Sequence, residues 1–154
     1  MRRMVENKNV QSMVSRKVNK TAVCLFEGNL FRDGKRHSAS RVVLRMLSKL
    51  KREHSEPGAV LLNSALASSY PYVTLRAKKV GGAVYQIPIH LVEDKQNKIA
   101  AKWLSASCGT KLGTRISCLQ KEISLSIVGE GVASQKKKAL HLLAVGNRAY
   151  IKYL

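Results

Sequence analysis

The chain has 154 residues, of which 28 are Lys or Arg and 9 are Asp or Glu, giving a formal net charge of +19 and a pI of about 10.3. With 45% hydrophobic residues it can build the core of one domain. That excludes a wholly disordered basic tail, and no apolar run reaches the ~18 residues that cross a bilayer. Charge so one-sided repels itself unless a polyanion neutralises it. Nucleic acid is therefore the first candidate partner, an anionic membrane surface the second, and an enzyme of acidic substrates a distant third.

Residues 1–17 show no clear periodicity and carry Arg2, Arg3, Lys8, Arg16 and Lys17. They lack a hydrophobic stretch, which excludes a secretory signal. Two readings stay open: a short transit peptide, or a flexible basic arm that touches phosphate, the second favoured by shortness and by Glu6. From Val18, the apolar residues Ala22, Leu25, Phe26 and Leu30 recur at helical spacing, and Asp33-Gly34 stops that helix. Val42, Val43, Met46, Leu47 and Leu50 form the apolar face of the next helix, with Arg41, Arg45, Lys49 and Arg52 off it. Pro57-Gly58 breaks the chain, and 60–66 predicts a shorter helix ending before Tyr70-Pro71.

The period then changes to two. Val73, Leu75 and Ala77 alternate with Thr74, Arg76 and Lys78; Tyr85, Ile87, Ile89 and Leu91 alternate with Gln86, Pro88 and His90. Gly81-Gly82 between the runs suits a tight turn of positive φ, and Pro88 marks an edge strand. The expected hairpin spans about 72–91. Helical spacing returns with Ile99, Ala100, Trp103, Leu104, Ser107 and Cys108, capped at Gly109, and Trp103 is expected in the core. Leu112, Ile116, Leu119, Ile123 and Ile127 repeat the pattern up to Gly129-Glu130-Gly131, and a last helix is predicted over 134–153. The expected organisation is a basic arm at 1–17 and a mainly helical domain at 18–154 with one inserted hairpin.

Chemistry-bearing residues are sparse. Cys24, Cys108 and Cys118 show no close pairing in sequence, and Cys24 and Cys108 read as buried small hydrophobes. The four His are scattered, and the adjacent carboxylates Glu93-Asp94 suit the start of a helix better than acid–base work. No phosphate-loop, dinucleotide or nucleophile-elbow motif is present. The expectation is no enzyme, no metal, no cofactor, no membrane and no small-molecule substrate.

The basic constellations carry more. Segment 76–92 holds Arg76, Lys78 and Lys79 with no carboxylate until Glu93. A hairpin with a glycine tip has little bulk and enters a groove, its cations neutralising phosphate while Tyr85 stacks on a base or ribose. An ordinary exposed hairpin with solvated lysines is the competing reading. In the predicted last helix, Lys137, His141, Ala144, Arg148 and Lys152 share one face, and Leu140, Leu143 and Ile151 another. Residues 132–154 contain five basic side chains and no acidic one, so the helix lacks the i,i+4 pairs that would support it in water. Such a face suits phosphate. Tyr150 is expected on the core, and Tyr153 is open between core and RNA.

The run RAKKVGGAVYQIPIHLVEDKQNKIAAKWL (76–104) resembles the signature of the universal small-subunit ribosomal protein seven family, in which R-R-V-G-G-x-x-Y-Q-V-P leads to a helix bearing R-W-L. VNKTAVCLFEGNLFRDGKR (18–36), LLNSALASSYPYVTLR (61–76) and KKKALHLLAVGNRAYIKYL (136–154) agree in the same order. In the last stretch His141, Asn147, Arg148, Tyr150 and Tyr153 match H-x-x-A-x-x-N-[KR]-[AS]-[FY]-x-x-[FY]. The resemblance covers roughly 16–154.

It implies a mainly α, six-helix single domain with an inserted β-hairpin arm. The function implied is direct binding of small-subunit rRNA and organisation of the 3′ major domain, the head of the subunit. The position implied is near the exit-tRNA site and the mRNA exit path, beside neighbouring head and platform proteins. Matched RNA-binding positions are Lys17, Lys35, Arg36, Arg76, Lys78, Lys79, Gly81, Gly82, Tyr85, Gln86, Lys102, Lys136, Lys137, His141, Asn147 and Arg148. Arg2, Arg3, Arg16, Lys111, Arg115, Lys138 and Lys152 join them as candidate phosphate contacts.

The sequence also departs from the family pattern. Lys78-Lys79 stands where Arg is common, Lys102 precedes the Trp in place of Arg, and Ala139-Leu140 replaces an acidic pair. Lys lacks the bidentate fork of Arg, so phosphate binding is retained without its fixed geometry. The Pro-rich N-terminal segment is missing. With so few acids, these departures suggest an organellar member, mitochondrial before plastid or bacterial. The alternative from another class is a non-ribosomal architectural protein that bends or coats DNA, which has no reason to combine Val80-Gly81-Gly82, Tyr85-Gln86-Ile87-Pro88 and the 141–153 pattern.

Overall fold

A computed structural model describes residues 22–31, 33–108 and 112–154. Helix α1 occupies 22–30, α2 Arg36–Glu53 and α3 Gly58–Ser69. An antiparallel hairpin of β1 (Val73–Val80) and β2 (Ala83–His90) follows, then α4 (Glu93–Ala106), α5 (Leu112–Val128), α6 (Val132–Gly146) and a terminal 3₁₀ helix, Arg148–Tyr153. The expected six helices and hairpin are all present, in order.

Spacing decides which faces pack. Phe26 and Leu30 of α1, Val43, Met46 and Leu50 of α2, Leu62 and Leu66 of α3, Leu104 of α4, and Leu119 and Ile123 of α5 are buried in one cluster. The close approach of α3 to α2 explains Gly58: a Cβ there would stand 2.5 Å from the Leu47 carbonyl oxygen. Glu93 and Asp94 occupy the first turn of α4, where carboxylates complement the helix dipole. Gly131 has no side chain with which to cap α6, and α5 supplies one. The buried Glu122 accepts the Ala133 N–H at 3.0 Å and the Ser126 hydroxyl at 3.4 Å.

Some expectations need correction. The last helix does not run to residue 153. It starts at Val132 and ends at Gly146, and Asn147, whose N–H donates to the Leu143 carbonyl, hands the chain to the 3₁₀ helix. Tighter winding after Asn147 ends the common face of Lys137, Arg148 and Lys152. Large apolar side chains of α6 face outward: Leu142, Leu143 and Val145 are 77, 56 and 72% exposed, and only Ala133, Ser134 and Ala144 of that helix are buried. Cys24 is exposed because it lies off the Ala22–Phe26–Leu30 face, whereas Cys108 is buried and its thiol is pushed up to about 12, chiefly by desolvation. Trp103 is half-buried, packed on the rim of the cluster. Gly109, the expected cap, lies outside the described residues.

Candidate nucleic-acid interface

The turn residues Gly81 and Gly82 have φ of 58° and 91°, the double positive φ of a two-residue hairpin turn that a side chain adopts only with strain. This turn fixes the register. Lys78 pairs with Tyr85 and Arg76 with Ile87, so cations of β1 share a face with apolar residues of β2. The alternation read from each run holds, but the two apolar stripes fall on opposite faces.

That mixed face is docked, not free. Tyr85 stacks on Tyr153 with ring centroids 5.3 Å apart and 28° between planes, and lies 4.9 Å from the Tyr150 ring. Lys78 Nζ donates to the carbonyl oxygens of Tyr153 at 2.6 Å and Leu154 at 3.0 Å. Nearer the body, Ile87 and Leu91 are buried, and the Leu91 N–H donates to the Tyr72 carbonyl at 2.9 Å. Arg76, Lys78, Ile87, Ile89 and Leu154 line a cleft of about 250 Å³ between hairpin and C-terminal residues. Tyr150, expected on the core, packs on the hairpin, and Tyr153 joins it there. Toward the tip Lys79, Gly81, Gly82 and Gln86 are exposed, and Arg76 and Lys78 are exposed at the edge of the cleft.

A second cluster joins α6 to the start of β1. Lys137 Nζ donates to the Ser68 carbonyl at 2.8 Å and lies 5.7 and 5.6 Å from the Tyr70 and Tyr72 ring centroids. The Tyr72 N–H donates to His141 Nε2 at 3.2 Å. Burial and then the Lys137 charge hold the His141 imidazole below its ordinary value, which keeps it the neutral acceptor this bond requires. A hydrogen bond with Tyr72 raises the Tyr70 hydroxyl. Lys137 and His141 thus serve the fold as well as any ligand; sequence periodicity grouped them with Arg148 and gave no sign of these tyrosine partners.

The other sequence-derived candidates divide by place. Lys35 and Arg36 are exposed where α1 turns into α2, and Lys102 is exposed on α4. Lys136 is exposed on α6, and Arg148 and Lys152 on the 3₁₀ helix, Lys152 Nζ lying 5.0 Å from the Tyr153 centroid. Lys138 Nζ reaches back to the Gly129 carbonyl at 3.2 Å, and Asn147 Nδ2 donates to the Leu143 carbonyl at 2.9 Å. Arg115 is half-buried on α5, with Nε enclosed. Arg2, Arg3, Arg16, Lys17 and Lys111 lie outside the described residues.

The hairpin and the 3₁₀ helix pack together, and β1 lies along α6, so Arg76, Lys79, Lys136, Arg148 and Lys152 belong to one continuous annex of the fold. Exposed cations on an anchored arm, with a tip of minimal bulk, are chemically able to meet a phosphate backbone. Among the described residues, no three His, Cys, Asp or Glu gather to hold a metal ion, and no helix is long and apolar enough to cross a membrane.

Comparison with known proteins places the chain. Residues 1–148 match the family described as Ribosomal protein S7p/S5e. The chain is 34% identical over 122 residues to the small ribosomal subunit protein uS7 of Bartonella tribocorum, a match covering 79% of this chain and 78% of that protein. To uS7 of Brachyspira hyodysenteriae it is 32% identical over 130 residues, covering 83% of each. To uS7c of Chlorella vulgaris it is 26% identical over 125 residues, covering 80% of each.

Proposed function

The chain belongs to the ribosomal protein S7 family, and from that premise we propose that it binds small-subunit rRNA directly and organises the 3′ major, head domain. Its role is that of a structural, non-enzymatic constituent of the small ribosomal subunit. The observation that carries the proposal is the anchored hairpin. Lys78 and Tyr85 fasten the arm to Tyr150, Tyr153 and Leu154, and Arg76, Lys79 and the glycine tip stay exposed for RNA. Holding the arm before binding reduces the ordering cost on association. Recognition is of folded shape, since side chains do not read the deep major groove of A-form RNA.

The exit-tRNA site, the mRNA exit path and adjoining head and platform proteins are the surroundings this reading assigns. Nine carboxylates against 28 cations, with Lys at family Arg positions, support an organellar ribosome, mitochondrial before plastid or bacterial. Sedimentation of tagged protein from a fractionated cell tests both parts. The expected result is travel with organellar small subunits at high salt; travel with chromatin or nucleoid instead would favour a DNA-coating role.

A further inference from the structure

On α2, the exposed residues Arg41, Arg45, Lys49 and Arg52 stand at i, i+4, i+8 and i+11, one stripe along the helix. Four helical residues advance roughly 6 Å, a step of the same order as that between successive phosphates of an RNA strand. The whole helix carries Arg36, Arg41, Arg45, Lys49, Lys51 and Arg52 against one carboxylate, Glu53. Like charges at i and i+4 oppose helix formation in water, so this stripe costs stability unless something anionic lies on it.

The stripe's C-terminal half forms one wall of an open groove of about 700 Å³ whose other wall is α5. Lys49 and Arg52 face Lys121 across it, and Ser117, Gln120 and Ser124 add neutral polar groups along the α5 wall; Glu53 is the one carboxylate of the lining. The walls are tied by Lys49 Nζ to the Ser117 hydroxyl at 3.4 Å and by a hydrogen bond between His54 Nε2 and Ser124 Oγ at 3.3 Å. Phosphate oxygens accept from cations and hydroxyls alike, and this lining offers both.

The groove is separate from the annex. α2 packs on α3 and α5, whereas the hairpin packs on α6 and the 3₁₀ helix. We propose that the α2/α5 groove is a second RNA-backbone site, and that the protein bridges two RNA segments, one on the hairpin annex and one along the Arg41–Arg45–Lys49–Arg52 stripe. The inference rests on the reading of this chain as an RNA binder but concerns a surface that reading does not use.

A capture assay tests it. One short RNA duplex is immobilised, a second is fluorescently labelled, and the protein, confirmed monomeric by light scattering, is added at limiting amounts. Wild type is expected to retain labelled duplex on the immobilised one. Lys49→Glu/Arg52→Glu/Lys121→Glu should still bind the immobilised duplex but retain at least about ten-fold less of the second. Its slope of log affinity against log salt should fall by roughly two to three, near one per lost phosphate contact. The corresponding Gln triple variant, with unchanged circular dichroism and melting, should behave the same way and covers a folding failure of the Glu variant. Wild type that binds one duplex and never retains a second overturns this proposal alone. So does a groove variant with unaltered capture and slope, or one that loses only a 20-residue polyglutamate peptide, which would make the groove a protein-docking surface. Wild type that binds neither duplex overturns the rRNA reading beneath it.

Discussion

The helical body and the hairpin annex are held together by different physics. In the body, Phe26, Met46, Leu50, Leu62, Leu104, Leu119 and Ile123 are fully enclosed, and burial of apolar surface does the holding. Among the described residues, the annex buries Ile87 and Leu91 of the hairpin, and the adjoining α6 adds the small side chains of Ala133 and Ala144. Tyrosine stacking and lysine–carbonyl bonds supply much of the rest. Stability is thus concentrated where the chain is apolar, and the annex adds exposed cations to that body. The annex can present unpaired cations because the body does not depend on them.

The sharpest break of this contrast is a cavity in the body. Phe26→Ala should cost about 3–5 kcal/mol and Leu104→Ala about 2–5, read as loss of global stability in denaturant melts. A cost below about 1 kcal/mol at either position would mean that the body is not the stabilising region. In the annex, Gly81→Val/Gly82→Val should strain the turn by about 1–2 kcal/mol per residue, because β-branched residues tolerate positive φ poorly. The expected result is weaker incorporation into small subunits with helical circular dichroism retained; loss of the whole fold would erase the division.

The Tyr85–Tyr153 stack sharpens the comparison further. A double-mutant cycle with Tyr85→Ala and Tyr153→Ala should give a coupling of about 0.5–1.5 kcal/mol. Additive effects would show that the arm is not fastened there. The smallest effect concerns His141. Its imidazole in the folded protein sits below the ordinary 6.5, so the unfolded chain takes up the proton first. The contribution is full above about pH 6.5 and is lost as pH falls through the lowered folded value. His141→Gln, which keeps an acceptor but does not titrate, should flatten the dependence of melting temperature on pH between about 5 and 7. An unchanged profile would remove His141 from the joint.

Where periodicity and burial coincide, the fold was legible. The faces of α2 and α5 and the two-residue glycine turn follow from spacing alone, because one buried face imposes 3.6 and positive φ imposes glycine. The end of α6 was not legible: 134–153 keeps helical periodicity through Asn147, and only backbone geometry shows the change to 3₁₀ winding. The fate of Tyr85 was hidden for another reason. Tyr150 and Tyr153 are more than 60 residues away in sequence, and a stacked ring looks the same in a sequence whether it awaits a base or another tyrosine. Lys137 and His141 illustrate the same limit, since their partners Ser68, Tyr70 and Tyr72 come from the end of α3 and the turn before β1.

Lys137 is a poor probe of RNA binding because it also holds Ser68, so the decisive variant uses residues exposed on the annex. Affinity of Lys79→Glu/Arg148→Glu for a head-domain rRNA fragment, measured beside its melting curve, tests the central claim directly. Charge-assisted contacts are worth about 1.5–3 kcal/mol each, so binding should weaken by several kcal/mol at physiological salt. Stability should move by less than about 0.5 kcal/mol, as for other surface substitutions. Wild-type affinity with an intact fold would contradict the assignment of the annex to RNA.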